Sequence, residues 1–366
     1  MRWGPSQFPS RAGDSASARA QWEVPALCQP LAFGAGGFRL HRHEFGYCNL
    51  NLAEYATRPK CMLVHDPVAP GALRSLDGIE DSARLEQEWL FRSRPDERIY
   101  ASQHRALVET LSLHVERVQH VADIAGDHEA YTQAYMNPNQ VFTRDSLITL
   151  PWVPDGYIAA CMKPLLRRAE TRTMQVAVER LGLREITRVP KEFVVEGGDL
   201  VPFHREGRRS LLAGYGPRTH FEALEYLQDA LIPDYADEII ALQLAPWRMN
   251  LDGGLLPVAE DVLITESESI LGGMLLNGRE RQRIDVLEMM RDLGMFIVET
   301  TRDESVYAQS CNCVCLGDRK IIYFDLCDRV HQLLVRHDIE TLRVPGSELV
   351  KGRGGPRCMT RPIYGP

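Results

Sequence analysis

The chain has 366 residues, of which 44% are hydrophobic and 25% are charged, as in a globular protein with one large domain or two ordinary ones. Its formal net charge of −8 argues against nucleic acid as a partner, because phosphate binding needs a basic face. No stretch approaches the roughly 18 consecutive apolar residues of a membrane span, so no membrane partner is expected.

The first 45 residues are rich in Ser, Ala, Gly and Arg and lack the apolar core of a secretion signal. We therefore predict a disordered leader over 1–45, one folded domain over 46–366, and a cytoplasmic location.

After residue 58, short apolar runs alternate with helical patterns. Residues 59–65 predict a buried strand, and apolar positions repeat at helical spacing over 96–117. Further strands are predicted at 157–161, 192–195, 210–213, 238–242, 262–264, 295–298 and 321–324. Helices are predicted at 167–181, 219–230, 279–293 and 327–337. The pattern is that of an α/β protein with many short strands.

The nine cysteines form an odd number along a chain with no signal peptide, which argues against a disulfide framework. Cys311, Cys313 and Cys315 would share one face of a strand. No second pair with zinc-like spacing accompanies them, so we interpret them as small buried residues and predict no metal.

Four short segments combine glycine, carboxylates and a thiol. They are residues 142–145 (FTRD), 196–199 (EGGD), 250–254 (NLDGG) and 353–359 (RGGPRCM). Taken singly, each is most often a turn, a surface pair or a buried cysteine. Together they fit one site for a guanidinium, which carboxylates bind through paired hydrogen bonds and which a thiolate can attack. Arg357, beside Cys358, is expected to lower the pKa of that thiol.

The C-terminal segment carries a more specific signal. It has GSEL at residues 346–349 and then GRGGPRCM at residues 352–359. This pattern resembles the tail of proteins in the arginine deiminase and amidinotransferase superfamily, and the nearest likeness is to arginine deiminase itself. The likeness runs from Lys60 to the C-terminus. It implies a pentein catalytic domain over 46–366, an α/β propeller of five αββαβ units in a ring, without a cofactor.

The resemblance implies a role for each matching residue. Cys358 resembles the nucleophile and Glu196 a catalytic-site acid. Asp145 and Asp252 resemble the two carboxylates that grip the guanidinium.

Three arginines complete the resemblance. Arg167 and Arg218 resemble those that hold a substrate carboxylate, and Arg353 resembles a mobile arginine near the site entrance.

Two features depart from the family. Asn250 stands where the family has its general acid and base His, and Asn does not titrate; neither His204 nor His220 is assigned as a replacement. The stretch from His65 to Phe142 is also too short for the helical insertion of arginine deiminases.

These features leave three functions open. The first is a hydrolase that converts arginine or a derivative to a citrulline-type product and ammonia through a covalent thiouronium. The second is an amidinotransferase that moves the amidino group to an amine. The third is a binding relative without turnover. In each, the expected partner is a small guanidino compound such as arginine, and a homo-oligomer is left open.

Overall fold

A computed structural model describes residues 51–365, apart from residues 70, 135 and 279. The predicted leader over 1–45 lies outside the described residues. The described residues belong to one compact unit, and its identity as a single catalytic domain over 46–366 remains a prediction.

The described chain alternates short strands with helices. The strands are β1 (Cys61–Val64), β2 (Arg117–His120), β3 (Leu147–Leu150), β4 (Val153–Ala159), β5 (Arg184–Arg188), β6 (Leu200–Arg205), β7 (Arg208–Tyr215), β8 (Glu238–Leu244), β9 (Leu255–Ala259), β10 (Val262–Thr265), β11 (Ile270–Leu276), β12 (Arg281–Ile284), β13 (Phe296–Glu299), β14 (Val314–Cys315), β15 (Lys320–Phe324), β16 (Glu340–Val344) and β17 (Arg361–Ile363). The helices are α1 (Ser82–Trp89), α2 (Glu97–Ser112), α3 (Val121–Ala125), α4 (Glu129–Ala134), α5 (Arg168–Arg180), α6 (Phe221–Leu231), α7 (Val286–Asp292), α8 (Arg302–Tyr307) and α9 (Asp328–Arg336).

The strands of the described residues form five sheets with one repeated pattern. In each, a central strand pairs antiparallel with one neighbour and parallel with the other: β17-β1-β2, β3-β4-β5, β6-β7-β8, β9-β10-β13 and β14-β15-β16. The hairpin β11–β12 extends the third sheet by pairing with β8. The last strand, β17, completes the first sheet with Cys61 opposite Ile363, so the C-terminal segment returns to the start of the fold.

Helix α2 shows how local sequence sets one element. The Asp96 side chain accepts a hydrogen bond from the Ile99 amide and caps the first turn. Tyr100, Leu107 and Leu111 are buried on the inner face, as their helical spacing predicts. The helix ends at Ser112, short of the predicted residue 117, and Val115 is buried in the turn that leads to β2.

Two predicted elements are corrected. Residues 192–195 do not form a strand; Val195 makes only an isolated bridge with Cys161. The predicted helix over 279–293 begins only at Val286, because residues 281–284 pair with β11 and Asp285 caps α7.

The three clustered cysteines pack in the core. Cys311, Cys313 and Cys315 are buried in the same hydrophobic cluster, which confirms their interpretation as small buried residues. Only Cys315 lies in a strand.

Among the helices of the described residues, none has the length and apolar character needed to cross a bilayer.

Candidate active site

The candidate site is built from one short loop in each of the five units. Asp145, Glu196, Asp252, Asn312 and Cys358 each lie two to four residues before the first strand of their unit, which is β3, β6, β9, β14 or β17. The repeated strand pattern gives these loops equivalent positions, so they converge on one cavity. Asp145, Asp252, Asn312 and Cys358 line it, while Glu196 is buried behind its wall.

The Cys358 thiol is fixed from two sides. Asn312 Nδ2 donates to its Sγ at 3.1 Å, and Sγ in turn donates to Asp252 Oδ2 at 3.7 Å. The Asn312 side chain also accepts from the Cys358 amide at 3.1 Å, so one residue holds both the backbone and the sulfur. This geometry places the sulfur in the cavity, beside a carboxylate.

The charges around Cys358 favour the neutral thiol. Burial, followed by the negative charges of Asp252 and Asp145, raises the pKa of this thiol well above its usual range. Arg357, which is paired with Glu54 and Asp252, acts in the opposite direction, as expected, but burial and the two carboxylates outweigh it. The pKa of this thiol is therefore raised and not lowered.

A buried ion network supports Asp252. Arg357 Nη1 donates to Asp252 Oδ2 at 2.7 Å, and Arg357 Nη2 donates to Glu54 at 2.8 Å. Arg144 lies 3.1 Å from the same Glu54 carboxylate. Burial acts to raise the pKa of Glu54, but the two arginines outweigh it and lower this pKa to about 2. The network thus fixes the loops that carry Asp145, Asp252 and Cys358.

Asp145 lines the cavity, and its two carboxylate oxygens differ in their partners. Its Oδ2 accepts from Arg167 Nη1 at 2.8 Å, whereas its Oδ1 is buried with no hydrogen-bond partner among the described residues. A Cβ at Gly198 would come within 2.8 Å of this Oδ1, so glycine keeps the space beside it open. Such a buried acceptor is suited to an N–H donor of a ligand.

Arg167 lines the same cavity, but its nitrogens already have protein partners. Besides Asp145, it binds both oxygens of Glu170, at 2.7 to 3.1 Å. In this arrangement Arg167 orients Asp145. The predicted role in binding a substrate carboxylate would require Arg167 to share one of these contacts.

Asn250 lies at the cavity wall in front of two buried carboxylates. Its Nδ2 donates to Glu196 Oε2 and to Asp199 Oδ2, each at 3.1 Å. Arg218 Nη1 donates to both oxygens of Glu196 at 3.1 Å. Asn250 and Arg218 line the cavity, so Glu196 contacts it only through them. Burial, and then the neighbouring Glu196 charge, raise the pKa of Asp199 well above its usual range, although Thr219 opposes the shift.

The remaining predicted residue, Arg353, lies at the cavity mouth. It adopts a left-handed conformation at φ 69° and pairs with Glu86. His204 and His220 do not line the cavity. Among the described residues, no group of three His, Cys, Asp or Glu side chains is placed to hold a metal ion.

Sequence reasoning assigned no role to three residues of this site, although one of them, Asp199, lies in the EGGD segment that it singled out. Asn312 contacts the sulfur, Glu54 anchors Arg357, and Asp199 holds Asn250. The position of Asn312 just before a first strand, like that of Asp145 and Cys358, is a signal that could have found it. No local pattern marks Glu54, whose partners lie 90 and 303 positions away along the chain.

Comparison with known proteins points to one family. The family model described as arginine deiminase matches residues 75–364 of the chain. Arginine deiminase of Mycoplasma capricolum is 27% identical over 197 residues, which cover 48% of each chain. Arginine deiminase of Bacillus cereus is 25% identical over 279 residues, 67% of this chain and 66% of the relative. The matches thus span from just under half to two thirds of the length of these relatives.

Solved structures share the fold. The substrate-bound N-terminal domain of ArgZ, an arginine dihydrolase from the ornithine–ammonia cycle in cyanobacteria, superposes with a TM-score of 0.62 at 18% identity, covering 84% of this chain and 98% of that one. An adduct of dimethylarginine dimethylaminohydrolase with S-methyl-L-thiocitrulline superposes with a TM-score of 0.60 at 19% identity, covering 83% of this chain and 99% of that one. The predicted pentein fold is confirmed.

Proposed function

We propose that this chain, which belongs to the arginine deiminase family, hydrolyses the guanidino group of arginine or of a related guanidino acid with Cys358 as nucleophile. One observation carries the proposal. The Cys358 sulfur lies 3.7 Å from Asp252, in a cavity also lined by Asp145, one of whose carboxylate oxygens has no hydrogen-bond partner among the described residues. A thiol between two carboxylates suits attack on the carbon of a bound cation.

The charge pattern of the cavity supports a zwitterionic substrate. Asp145 and Asp252 lie beside the thiol, and Arg218 and Arg353 line the same cavity. A guanidinium would bind at the carboxylates and a carboxylate at the arginines, as two complementary charge pairs. Binding of the cation would also offset the negative charges that keep Cys358 protonated, so substrate itself would favour the thiolate.

The first chemical step would replace a C–N bond by a C–S bond. As Sγ attacks the guanidinium carbon, Asp252 would accept the thiol proton and pass it to the departing nitrogen, which leaves as ammonia. The product is a thiouronium on Cys358. In the second step water would attack the same carbon, the sulfur would leave as the thiol, and the remaining proton would convert ammonia to ammonium.

Asn250 would orient the substrate in this scheme. Its Nδ2 is held by Glu196 and Asp199, which leaves Oδ1 to accept a hydrogen bond from a substrate nitrogen. Because an amide does not titrate, Asp252 is the group best placed to move protons. Asp252 suits this role because burial and then the charge of Asp145 raise the pKa of its carboxyl, although Arg357 opposes the shift.

A second candidate, transfer of the amidino group to an amine, is favoured by the same Asn250. A neutral amine needs less activation than water, so a site without a titratable group at position 250 suits it better.

We place either reaction in the cytoplasm, because the seven cysteines of the described residues are unpaired, as expected in a reducing compartment.

Intact-protein mass spectrometry tests the proposal. With arginine, we expect an adduct equal to arginine less ammonia, together with free citrulline; ornithine and a new guanidine in the presence of amines would indicate transfer instead. Cys358→Ala should abolish adduct and product. Cys161→Ala, at a buried cysteine outside the cavity, is the matched control and should retain both. Turnover by Cys358→Ala would refute the nucleophile assignment.

A further inference from the structure

The active-site cavity opens into an outer vestibule with a positive wall. The two spaces share Arg92, Arg218, Trp247, Met249, Val306 and Arg353. The charged residues of the vestibule are Arg92, Arg218, Arg302, Arg353, Glu86 and Asp303. Glu196, buried behind the wall, pairs with Arg218, so four cations face three anions, an excess of one positive charge in a chain whose formal net charge is −8. This local reversal of sign suits an anionic ligand.

Two of these cations, Arg92 and Arg302, form no ion pair among the described residues, and Arg92 is the more buried of the two. Arg92 is half-buried, and among the described residues its side chain donates only to the backbone oxygens of Val306 at 2.7 Å and Val350 at 3.3 Å. Its guanidinium lies 4.8 Å from the centre of the Tyr307 ring. No carboxylate of the described residues lies within ion-pair distance of it. Burial, and then the charge of Arg353, lower the pKa of Arg92, so an anion beside it would relieve an unfavourable arrangement.

The neighbours of Arg92 already have partners. Arg353 pairs with Glu86, and Arg218 pairs with Glu196. Arg92 is therefore a cation without a carboxylate partner in the wall shared by the two spaces, available to a ligand that extends outward from the cavity.

We propose that the vestibule binds a second carboxylate of the substrate, so that the preferred substrate is a guanidino acid with two acidic groups. One carboxylate would lie at Arg218 and Arg353, as for arginine itself, and the other at Arg92. The planar fork of a guanidinium matches a carboxylate through two parallel hydrogen bonds. The inference rests on the proposed function, because a guanidino group bound at Asp145 and Asp252 fixes the inner end of the ligand.

The alternative is that Arg92 only ties the backbone at Val306 to that at Val350. If Arg92 had only this structural role, the chain would bind charged and neutral ligands of equal length with equal affinity. Arg58 offers a matched control, because within the described part of the chain its guanidinium also donates only to a backbone oxygen, that of His114, away from the vestibule.

Titration calorimetry measures ligand affinity on the Cys358→Ser variant, in which turnover is blocked. It distinguishes a carboxylate site at Arg92 from a purely structural role of this residue. The first ligand pair is Nα-glutaryl-L-arginine and Nα-pentanoyl-L-arginine, which have acyl chains of equal length and differ in a terminal carboxylate. The second pair, Nα-malonyl-L-arginine and Nα-propanoyl-L-arginine, makes the same comparison with a shorter acyl chain. We expect the diacid of at least one pair to bind roughly tenfold more tightly, a difference of about 1.4 kcal/mol, and the preference to shrink at high salt.

Substitutions in the same background assign the preference to Arg92. Arg92→Met should remove it, Arg92→Lys should keep part of it, and Arg58→Met should leave it intact. Equal affinities within both pairs, or a preference that survives Arg92→Met in protein with an unchanged unfolding temperature, would overturn the inference.

The mass-spectrometric test of the wild-type chain is independent of this result. An adduct with arginine but no diacid preference would leave the proposed function standing without the second carboxylate site. A diacid preference that depends on Arg92, with no adduct from any guanidine, would support the vestibule site and reject the hydrolase.

Discussion

The Sγ atom of Cys358 donates to Oδ2 of Asp252 at 3.7 Å, and the same oxygen accepts a 2.7 Å hydrogen bond from Arg357. One carboxylate oxygen is thus held by a buried cation and touches the thiol. This contact gives Asp252 access to the thiol proton, in a chain that has Asn250 in place of a titratable group.

Replacement of Asp252 by Asn should slow the reaction more than it weakens binding. Asn keeps the shape of the side chain but cannot take the thiol proton, and loss of a general base typically costs about 10²- to 10⁴-fold in rate. Single-turnover adduct formation with arginine, compared with equilibrium binding, measures the two effects separately. Asp261→Asn, at a surface ion pair with Arg319, is the control. An unchanged rate of adduct formation would exclude Asp252 as the proton acceptor.

Replacement of Asn312 by Asp should make the thiol harder to ionise. Asn312 donates to Sγ, and a carboxylate there would remove this donor and add negative charge beside the sulfur. The pH profile of Cys358 alkylation by iodoacetamide should move to higher pH in Asn312→Asp, and less far in Asn312→Ala. Identical profiles in all three proteins would show that this hydrogen bond does not tune the thiol.

Replacement of Asn250 by His should accelerate breakdown of the thiouronium. An imidazole beside Glu196 could activate water, a contribution of about 10²- to 10⁴-fold for a general base. Citrulline release is then expected to rise relative to the amount of adduct, as followed by quenched-flow mass spectrometry. A fall in both quantities would mean that Asn250 has a role of its own that His cannot fill.

Loss of Glu54 should destabilise the fold. Glu54→Gln would leave the buried Arg144 and Arg357 without their shared carboxylate, and breaking a buried ion pair typically costs about 3–5 kcal/mol. Urea denaturation gives the change in the free energy of unfolding. Glu88→Gln, which breaks an exposed pair with Arg84, should leave the free energy of unfolding nearly unchanged. Equal losses in the two variants would contradict the role given to the network.

The stability of the fold should fall as the pH drops below about 6.5. Burial, followed by neighbouring histidine charge, lowers the pKa values of His65 and His104 to about 3. The unfolded chain therefore binds protons at these residues between about pH 6.5 and pH 3, while the folded chain does not. Each histidine then contributes a loss of about 2 kcal/mol between pH 6.5 and pH 5. Urea denaturation of His65→Gln should show a weaker pH dependence than that of the wild type; an equal slope would contradict this assignment.

Much of the fold could be predicted from the sequence because its signals are local. The buried run at β1 and the apolar spacing of α2 depend on neighbouring residues, so both elements were predicted. The predicted strand at 192–195 was wrong because an apolar run becomes a strand only where a partner strand lies alongside, and Val195 meets only Cys161. The predicted helix at 279–293 was wrong at its start because residues 281–284 form the second strand of a hairpin with β11, the strand just before them in the sequence.

The sequence by itself determined the family, the fold class and the chemical types at the site, because short motifs such as residues 352–359 carry them in a few adjacent positions. Only the tertiary structure decided which groups meet. The Arg357 charge adjoins Cys358 in sequence, yet Glu54 and Asp252 bind it, and the thiol pKa rises instead of falling. Electrostatic effects depend on distance and burial in space, and those are set by chain segments far apart in sequence.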